Sequence, residues 1–175
     1  MPLSFDMPLD KLKSYTGSNP KPTDFESFWD KNIKSLDKID TKVEINKSKF
    51  ETSFAECFDL YFTSTKNARI HAKLIQPKQQ QSPTPAVIMF HGYTGDSGDW
   101  SEKLAFAAEG FTVAALDCRG QGGESQDVGG MVGGTMRGHI IRGLEGSPDD
   151  MLFTQIFLDT VLLTKTIMDM PTVNS

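Results

Sequence analysis

Two continuously apolar runs, Ala86-Val87-Ile88-Met89-Phe90 and Phe111-Thr112-Val113-Ala114-Ala115-Leu116, constrain this chain more than any other feature. Strands of a parallel sheet are covered on both faces, so they lose the in-and-out alternation of a half-exposed strand. Between the runs, Asp99 to Glu109 has helix composition and stops at Gly110, which gives strand, helix, strand within about thirty residues. Such a unit belongs to a doubly wound α/β sheet.

Upstream of this unit the period changes to two. Phe54, Phe58, Leu60 and Phe62 share one face, and the pattern resumes at Ile70, Ala72 and Leu74 after the turn Ser64-Thr65-Lys66-Asn67-Ala68. The pattern predicts a β-hairpin with one buried face. His71 falls on the other face beside Arg69 and Lys73, where solvent is expected. Pro77 to Pro85 is polar and proline-interrupted, an exposed connection. Nearer the N-terminus, Thr23 is placed to cap a helix and Glu26 to bond back to the cap. Phe25, Phe28, Trp29 and Leu36 then form a core-covering stripe, with ligand stacking by Trp29 as the alternative. After the unit, Ser147-Pro148-Asp149-Asp150 offers a cap, a first-turn proline and two carboxylates at the start of a long helix. Its expected buried face is Leu152, Phe153, Ile156, Phe157, Leu163 and Ile167, and Pro171 ends it. Residues 1–50 thus read as a helical lead-in and 51–175 as the first half of a sheet, within one domain.

Composition removes several function classes. The 175 residues are 38% hydrophobic, enough for one core, and carry a net charge of −5. The 18 Lys and Arg are scattered, so no nucleic acid is expected as a partner. Met1 to Asp6 shows no signal-peptide pattern and no segment reaches the ~18 apolar residues of a membrane span. The expectation is a soluble, cytoplasmic protein with no membrane partner. Cys57, Cys118 and three histidines show no zinc spacing, and both cysteines read as buried free thiols. Neither a phosphate-cradling loop nor a dinucleotide fingerprint is present, so no metal or cofactor is expected.

Chemistry concentrates where the two apolar runs end. A loop leaving the C-terminal end of a central parallel strand lies where open α/β sheets bind ligands, and His91-Gly92-Tyr93-Thr94-Gly95 is such a loop. In an α/β-hydrolase the equivalent loop gives one backbone N–H to the oxyanion hole. Gly92 would let the backbone turn and Tyr93 would offer the N–H; a purely structural turn fits the same residues. His91 reads as a hydrogen-bonded structural histidine, since the triad histidine of these folds comes last in chain order. The second loop, Asp117-Cys118-Arg119-Gly120-Gln121-Gly122-Gly123-Glu124-Ser125, opens a stretch holding ten of the 15 glycines, between Gly120 and Gly146. Either a site mouth or a flexible surface loop has that composition.

Together these residues carry a resemblance. His91-Gly92-Tyr93, then Arg119-Gly120-Gln121-Gly122, Gly138-His139-Ile140-Ile141-Arg142-Gly143-Leu144 and the helix through Phe157-Leu158-Asp159 are similar to the N-terminal half of the cephalosporin C deacetylase and acetyl xylan esterase family. Met7-Pro8-Leu9-Asp10-Lys11-Leu12 and Asp24-Phe25-Glu26-Ser27-Phe28-Trp29 resemble it too. The resemblance implies a cofactor-free serine esterase that removes acetyl groups from acetylated xylo-oligosaccharides or cephalosporin C through an acyl-enzyme. It implies that the Tyr93 backbone N–H is one of two oxyanion donors, and that His91, Gly92, Arg119, Gly120 and Gln121 shape and support the site. The Gly-x-Ser-Gln-Gly elbow should follow the strand after the helix ending near Met170, so the nucleophile, acid and base are absent from this chain. The expected partners are a small acetylated substrate, the missing C-terminal half, and further copies in a ring-like hexamer when complete. Gln155 departs from the basic residue of many relatives, which puts a local salt bridge in doubt.

No serine already present replaces the elbow. Gly95-Asp96-Ser97-Gly98 imitates a protease motif without that fold's histidine and aspartate, and reads as a turn. Gly123-Glu124-Ser125-Gln126-Asp127 lacks the small residue two after the serine and follows the wrong strand. Cys118 has no elbow or paired base around it. Residues 1–175 alone are therefore expected to be inactive. The competing reading is a non-catalytic α/β-hydrolase remnant or interaction module ending at Ser175, and lactone hydrolysis is a third.

Overall fold

The computed structural model describes residues 6–127 and 141–174. Gly138, His139 and Ile140 of the family motif, with the rest of the glycine-rich stretch 128–140, lie outside the described residues. Two compact units divide between Lys31 and Asn32. The first holds α1 (Leu9–Ser14) and most of α2 (Phe25–Ser35). There Phe25 and Phe28 both set their rings edge-on to Trp29, with centroids 6.4 and 5.3 Å away. Glu26, expected to bond back to the cap, pairs with Lys21.

The second unit runs β1 (Glu44–Lys47), β2 (Ala55–Thr63), β3 (Arg69–Pro77), β4 (Ala86–Met89), α3 (Leu104–Ala108), β5 (Thr112–Leu116) and α4 (Leu152–Met168). The strands form one sheet in the order β1-β2-β3-β5-β4. The first three are antiparallel neighbours, β3 meets β5 antiparallel, and β4 and β5 run parallel as the apolar runs predict. Strand β1 is exposed throughout and carries no alternation that would announce it. The β2–β3 hairpin turns on Lys66 and Asn67, both left-handed at φ 56° and 57°, with the Ala68 N–H donating to the Thr65 carbonyl at 3.2 Å. Two consecutive left-handed residues give the turn whose twist matches the strands, and asparagine tolerates that conformation best after glycine.

Side chains on both faces of β2, β3 and β5 are buried, which corrects the expectation of a one-sided hairpin, while β4 is half-buried. Phe58, Leu74, Ala114 and Ile88 stand in register across four strands, and Leu60, Ala72 and Leu116 form the next row on that face. On the other face Cys57, Ile75, Val113 and Val87 are in register, and Ala107 and Leu104 of α3 pack against them. α4 contacts β4, β5 and the hairpin turn, and buries Leu158, Leu162, Leu163 and Ile167. Its start differs from expectation: Ser147 caps only a 3-10 turn, Pro148–Asp150, because Met151 is extended (ψ 134°) and the α-helix begins at Leu152. Phe157 is 50% exposed, a correction to the predicted buried stripe. Gln155 is buried, and its amide donates to the Asp149 carbonyl at 2.6 Å, bridging the break.

β4 is the last strand of the sheet among the described residues, and Phe90 just beyond it is 51% exposed. Past α4 the chain returns to this edge: Val173 bridges Thr84 in parallel, the Thr84 N–H donating to the Thr172 carbonyl (3.1 Å) and the Asn174 N–H to the Thr84 carbonyl (2.9 Å). No helix of the described residues is long and apolar enough to cross a membrane.

Candidate active site

β4 and β5 are parallel, so the loops that follow them leave the same end of the sheet, and hydrogen bonds lace them together. His91 is the first tie. Its Nε2 accepts the Cys118 N–H at 2.9 Å while its Nδ1 lies 2.7 Å from the Gly92 carbonyl. One nitrogen accepts and the other donates, which describes a neutral imidazole protonated on Nδ1. A histidine so used is a brace between strand ends, and it has no lone pair left for proton transfer.

The second tie holds the turn itself. The Gly95 N–H donates to the Gly92 carbonyl at 3.1 Å, and inside this turn Thr94 sits at φ 69°. A β-branched residue in the left-handed region costs of order 1–3 kcal/mol and persists only where its surroundings impose it. Here the Thr94 N–H is gripped by the Gln121 side-chain oxygen at 2.7 Å. Tyr93 lies between the two ties, 41% exposed. A third tie follows, the Ser97 N–H donating to Asp117 Oδ1 at 2.6 Å. The loops also touch directly: a side chain at Gly122 would meet the Gly95 carbonyl oxygen at 2.8 Å, and one at Gly123, whose φ is 84°, would collide with the Asp117 carboxyl.

Arg119 points away from this loop into the core. It is fully buried and grips Asp159 of α4 with Nε (2.7 Å to Oδ2) and Nη2 (2.5 Å to Oδ1). Its remaining hydrogens reach the Thr65 carbonyl and hydroxyl, and Ser64 donates to the same Asp159. One arginine thus locks α4, the hairpin turn and the start of the β5 loop. Of the Arg-Gly-Gln triplet, Arg119 secures the scaffold and Gln121 the loop.

Four residues, His71, Asp117, Asp159 and Ser125, gain roles that the sequence pattern does not assign. His71, expected in solvent, is 2% exposed. Its Nδ1 lies 2.6 Å from Asp117 Oδ2. Burial raises the Asp117 pKa, but the His71 bond and the N–H groups of Glu124 and Ser97 lower it further, to about 2. Asp159, quoted only as part of a motif, is the partner of Arg119. A carboxylate closing an all-apolar strand, as Asp117 does, was the one available signal. Ser125 is buried, accepts the His71 N–H at 2.8 Å and donates to the Asp117 carbonyl, so it is a pin. Cys118 is buried and its thiol is pushed up to about 12, chiefly by burial, which leaves it inert as a nucleophile. No cluster of His, Cys, Asp and Glu among the described residues could hold a metal.

Comparison with known proteins places these loops in context. The family model for acetyl xylan esterase matches residues 1–175. Acetyl xylan esterase 1 from Thermoanaerobacterium sp. JW/SL YS485 is similar at 55% identity and a TM-score of 0.90, over 97% of this chain and 53% of that one. An acetyl xylan esterase from Paenibacillus sp. R4 is similar at 26% identity and a TM-score of 0.83, over 95% of this chain and 54% of that one. A Bacteroides fragilis protein at 14% identity and a TM-score of 0.59 shares the fold. The chain spans about half the length of the first two structures.

Proposed function

Since the chain belongs to the acetyl xylan esterase family, we propose that it supplies the oxyanion-side half of a serine esterase acting on acetylated xylo-oligosaccharides or cephalosporin C. The serine, acid and histidine come from the part of the fold that follows α4, whose first strand docks along β4 where Val173 already meets Thr84. Attack of that serine on the acetyl carbonyl drives negative charge onto the carbonyl oxygen. The Tyr93 backbone N–H donates to this oxygen, together with an N–H following the nucleophile; collapse breaks the ester C–O bond and releases the deacetylated alcohol, protonated by the triad histidine, and water then hydrolyses the acetyl-serine to acetate and free serine. His91, Gly92, Gly120 and Gln121 hold the donor in place, and Arg119 holds the platform beneath them. Assembly of the complete protein as a ring-like hexamer belongs to the same proposal.

The observation that carries this reading is the Gln121 to Thr94 bond. An oxyanion donor must be fixed before charge develops, and a strained turn held from a second loop beside Tyr93 supports that role. The test is hydrolysis of acetylated xylo-oligosaccharides and cephalosporin C by the full-length protein bearing this sequence. Acetate release that a serine-directed phosphonate abolishes is expected. Absence of release from either substrate would instead favour a non-catalytic module.

A further inference from the structure

Resting on that reading, we propose that His71 is a positioning residue: an imidazolium held between Asp59 and Asp117, it keeps the Asp117 carboxylate on the Ser97 and Glu124 amides and thereby fixes the loop that carries Tyr93. The geometry of the ring states its charge. Nδ1 lies 2.6 Å from Asp117 Oδ2 and Nε2 3.2 Å from Asp59 Oδ1. A neutral imidazole has one N–H, and ionised carboxylates only accept, so satisfying both partners takes two protons on the ring. Burial alone would push the His71 pKa down, but the bond and charge of Asp117 and the bond to Asp59 outweigh it and the net displacement is upward.

The surroundings favour the cation as well. From β2, the Tyr61 ring packs 4.9 Å from the imidazole and its hydroxyl donates to Glu124 at 2.5 Å. Asp96 and Asp99 line, with His71, Asp117 and Glu124, an open depression of about 370 Å³ through which protons can exchange. Two cations stand nearby on β3. Arg69 lies over the Tyr61 ring, 3.6 Å from its centroid, and Lys73 donates to the Gly98 carbonyl. Carboxylates therefore outnumber cations around the ring.

Asp117 passes this charge to the two loops. Oδ1 accepts the Ser97 N–H at 2.6 Å and Oδ2 the Glu124 N–H at 2.9 Å. Ser97 is three residues past Thr94, and Glu124 three past Gln121, so the clamp closes the far ends of the two segments whose near ends Gln121 joins. The His71 main chain is tied separately, its N–H to Ser125 Oγ and its carbonyl to the Asp117 N–H. A side-chain substitution there can leave the strand in place.

The experiment uses the full-length protein, wild type and His71→Gln, labelled with ¹⁵N histidine. The His71 ring should stay an imidazolium past the ordinary 6.5. Hydrogen exchange of peptides covering 93–98 and 122–126 should quicken about tenfold in His71→Gln, and in the wild type, beyond the intrinsic pH effect, as His71 deprotonates. Turnover of an acetate ester should fall with the same midpoint. In His71→Gln kcat should drop on the order of 10²-fold with KM little changed, the scale of a donor misplaced by about 1 Å. A His71 that titrates at or below its ordinary value, or loops whose exchange ignores its protonation, would overturn the proposal. Should the protein hydrolyse no acetyl ester, the functional reading fails while ring titration and loop exchange still decide the clamp. If His71→Gln does not fold, the wild-type exchange across the midpoint decides it.

Discussion

The Gln121 side-chain oxygen lies 2.7 Å from the Thr94 amide nitrogen, so the loop after one parallel strand holds the backbone of the loop after its neighbour in a left-handed turn. Removing the acceptor releases both the bond and the restraint. Gln121→Ala should lower kcat of the full-length protein about 10²-fold and cost roughly 1–3 kcal/mol, measured by ester kinetics and urea melts. Thr94→Gly should separate the two effects, keeping or raising stability because the left-handed strain is gone, while kcat still falls.

Arg119 and Asp159 form a fully buried bidentate pair. Deleting one member strands the other charge, so Arg119→Met or Asp159→Leu alone should each cost about 3–5 kcal/mol in denaturant unfolding. The double variant should recover part of that loss. Arg119→Lys should behave like a deletion, since an ammonium cannot make the two parallel bonds.

Acid and base should weaken the protein through one pair. The Asp117 pKa falls from 3.8 to about 2 on folding, so its contribution is complete above 3.8 and is lost as pH drops toward 2. At 1.36 kcal/mol per pKa unit this amounts to roughly 2 kcal/mol. The His71 pKa rises on folding, so its contribution is complete below 6.5 and is lost as pH climbs through the raised value. Urea midpoints against pH should show both limbs, and Asp117→Asn should flatten the acid one.

Much of this was legible in the sequence, and the gaps have physical causes. The continuous apolar runs carried the parallel pair β4 and β5, and the two-residue period carried the hairpin, because each pattern follows from which faces are covered. Alternation misplaces His71 for the same reason: it implies one wet face, whereas Ile75 and Cys57 are buried on that face at one end and residues 96–99 with Gly123 and Glu124 flank His71 at the other. Such loop coverage leaves no periodic trace. Phe157 follows the helical stripe in sequence yet is exposed, since periodicity says which side chains align and not where the neighbouring element stops. The ties of His91 to Cys118 and Gln121 to Thr94 span 27 residues each and depend on how the strand ends meet. Pattern can nominate those residues, and only the register pairs them.

Residues 1–175 alone should be poorly soluble. Among the described residues β4 pairs only with β5, the Val173 bridge at Thr84 lying before the strand begins, and an edge of aliphatic residues with open N–H and C=O groups recruits other strands. Co-expression with the segment following α4 should restore a cooperative melt. A sharp, reversible melt of monomeric 1–175 would contradict this.

Tyr93 is proposed to act through its backbone N–H, and Tyr93→Pro set against Tyr93→Ala in the full-length protein separates that N–H from the side chain. Proline removes the N–H and alanine keeps it. The kcat on an acetate ester should fall on the order of 10²–10³-fold for Tyr93→Pro and far less for Tyr93→Ala, with crystal structures showing the Gln121 to Thr94 bond intact in both. Equal losses in the two variants, or full turnover in Tyr93→Pro, would contradict that role.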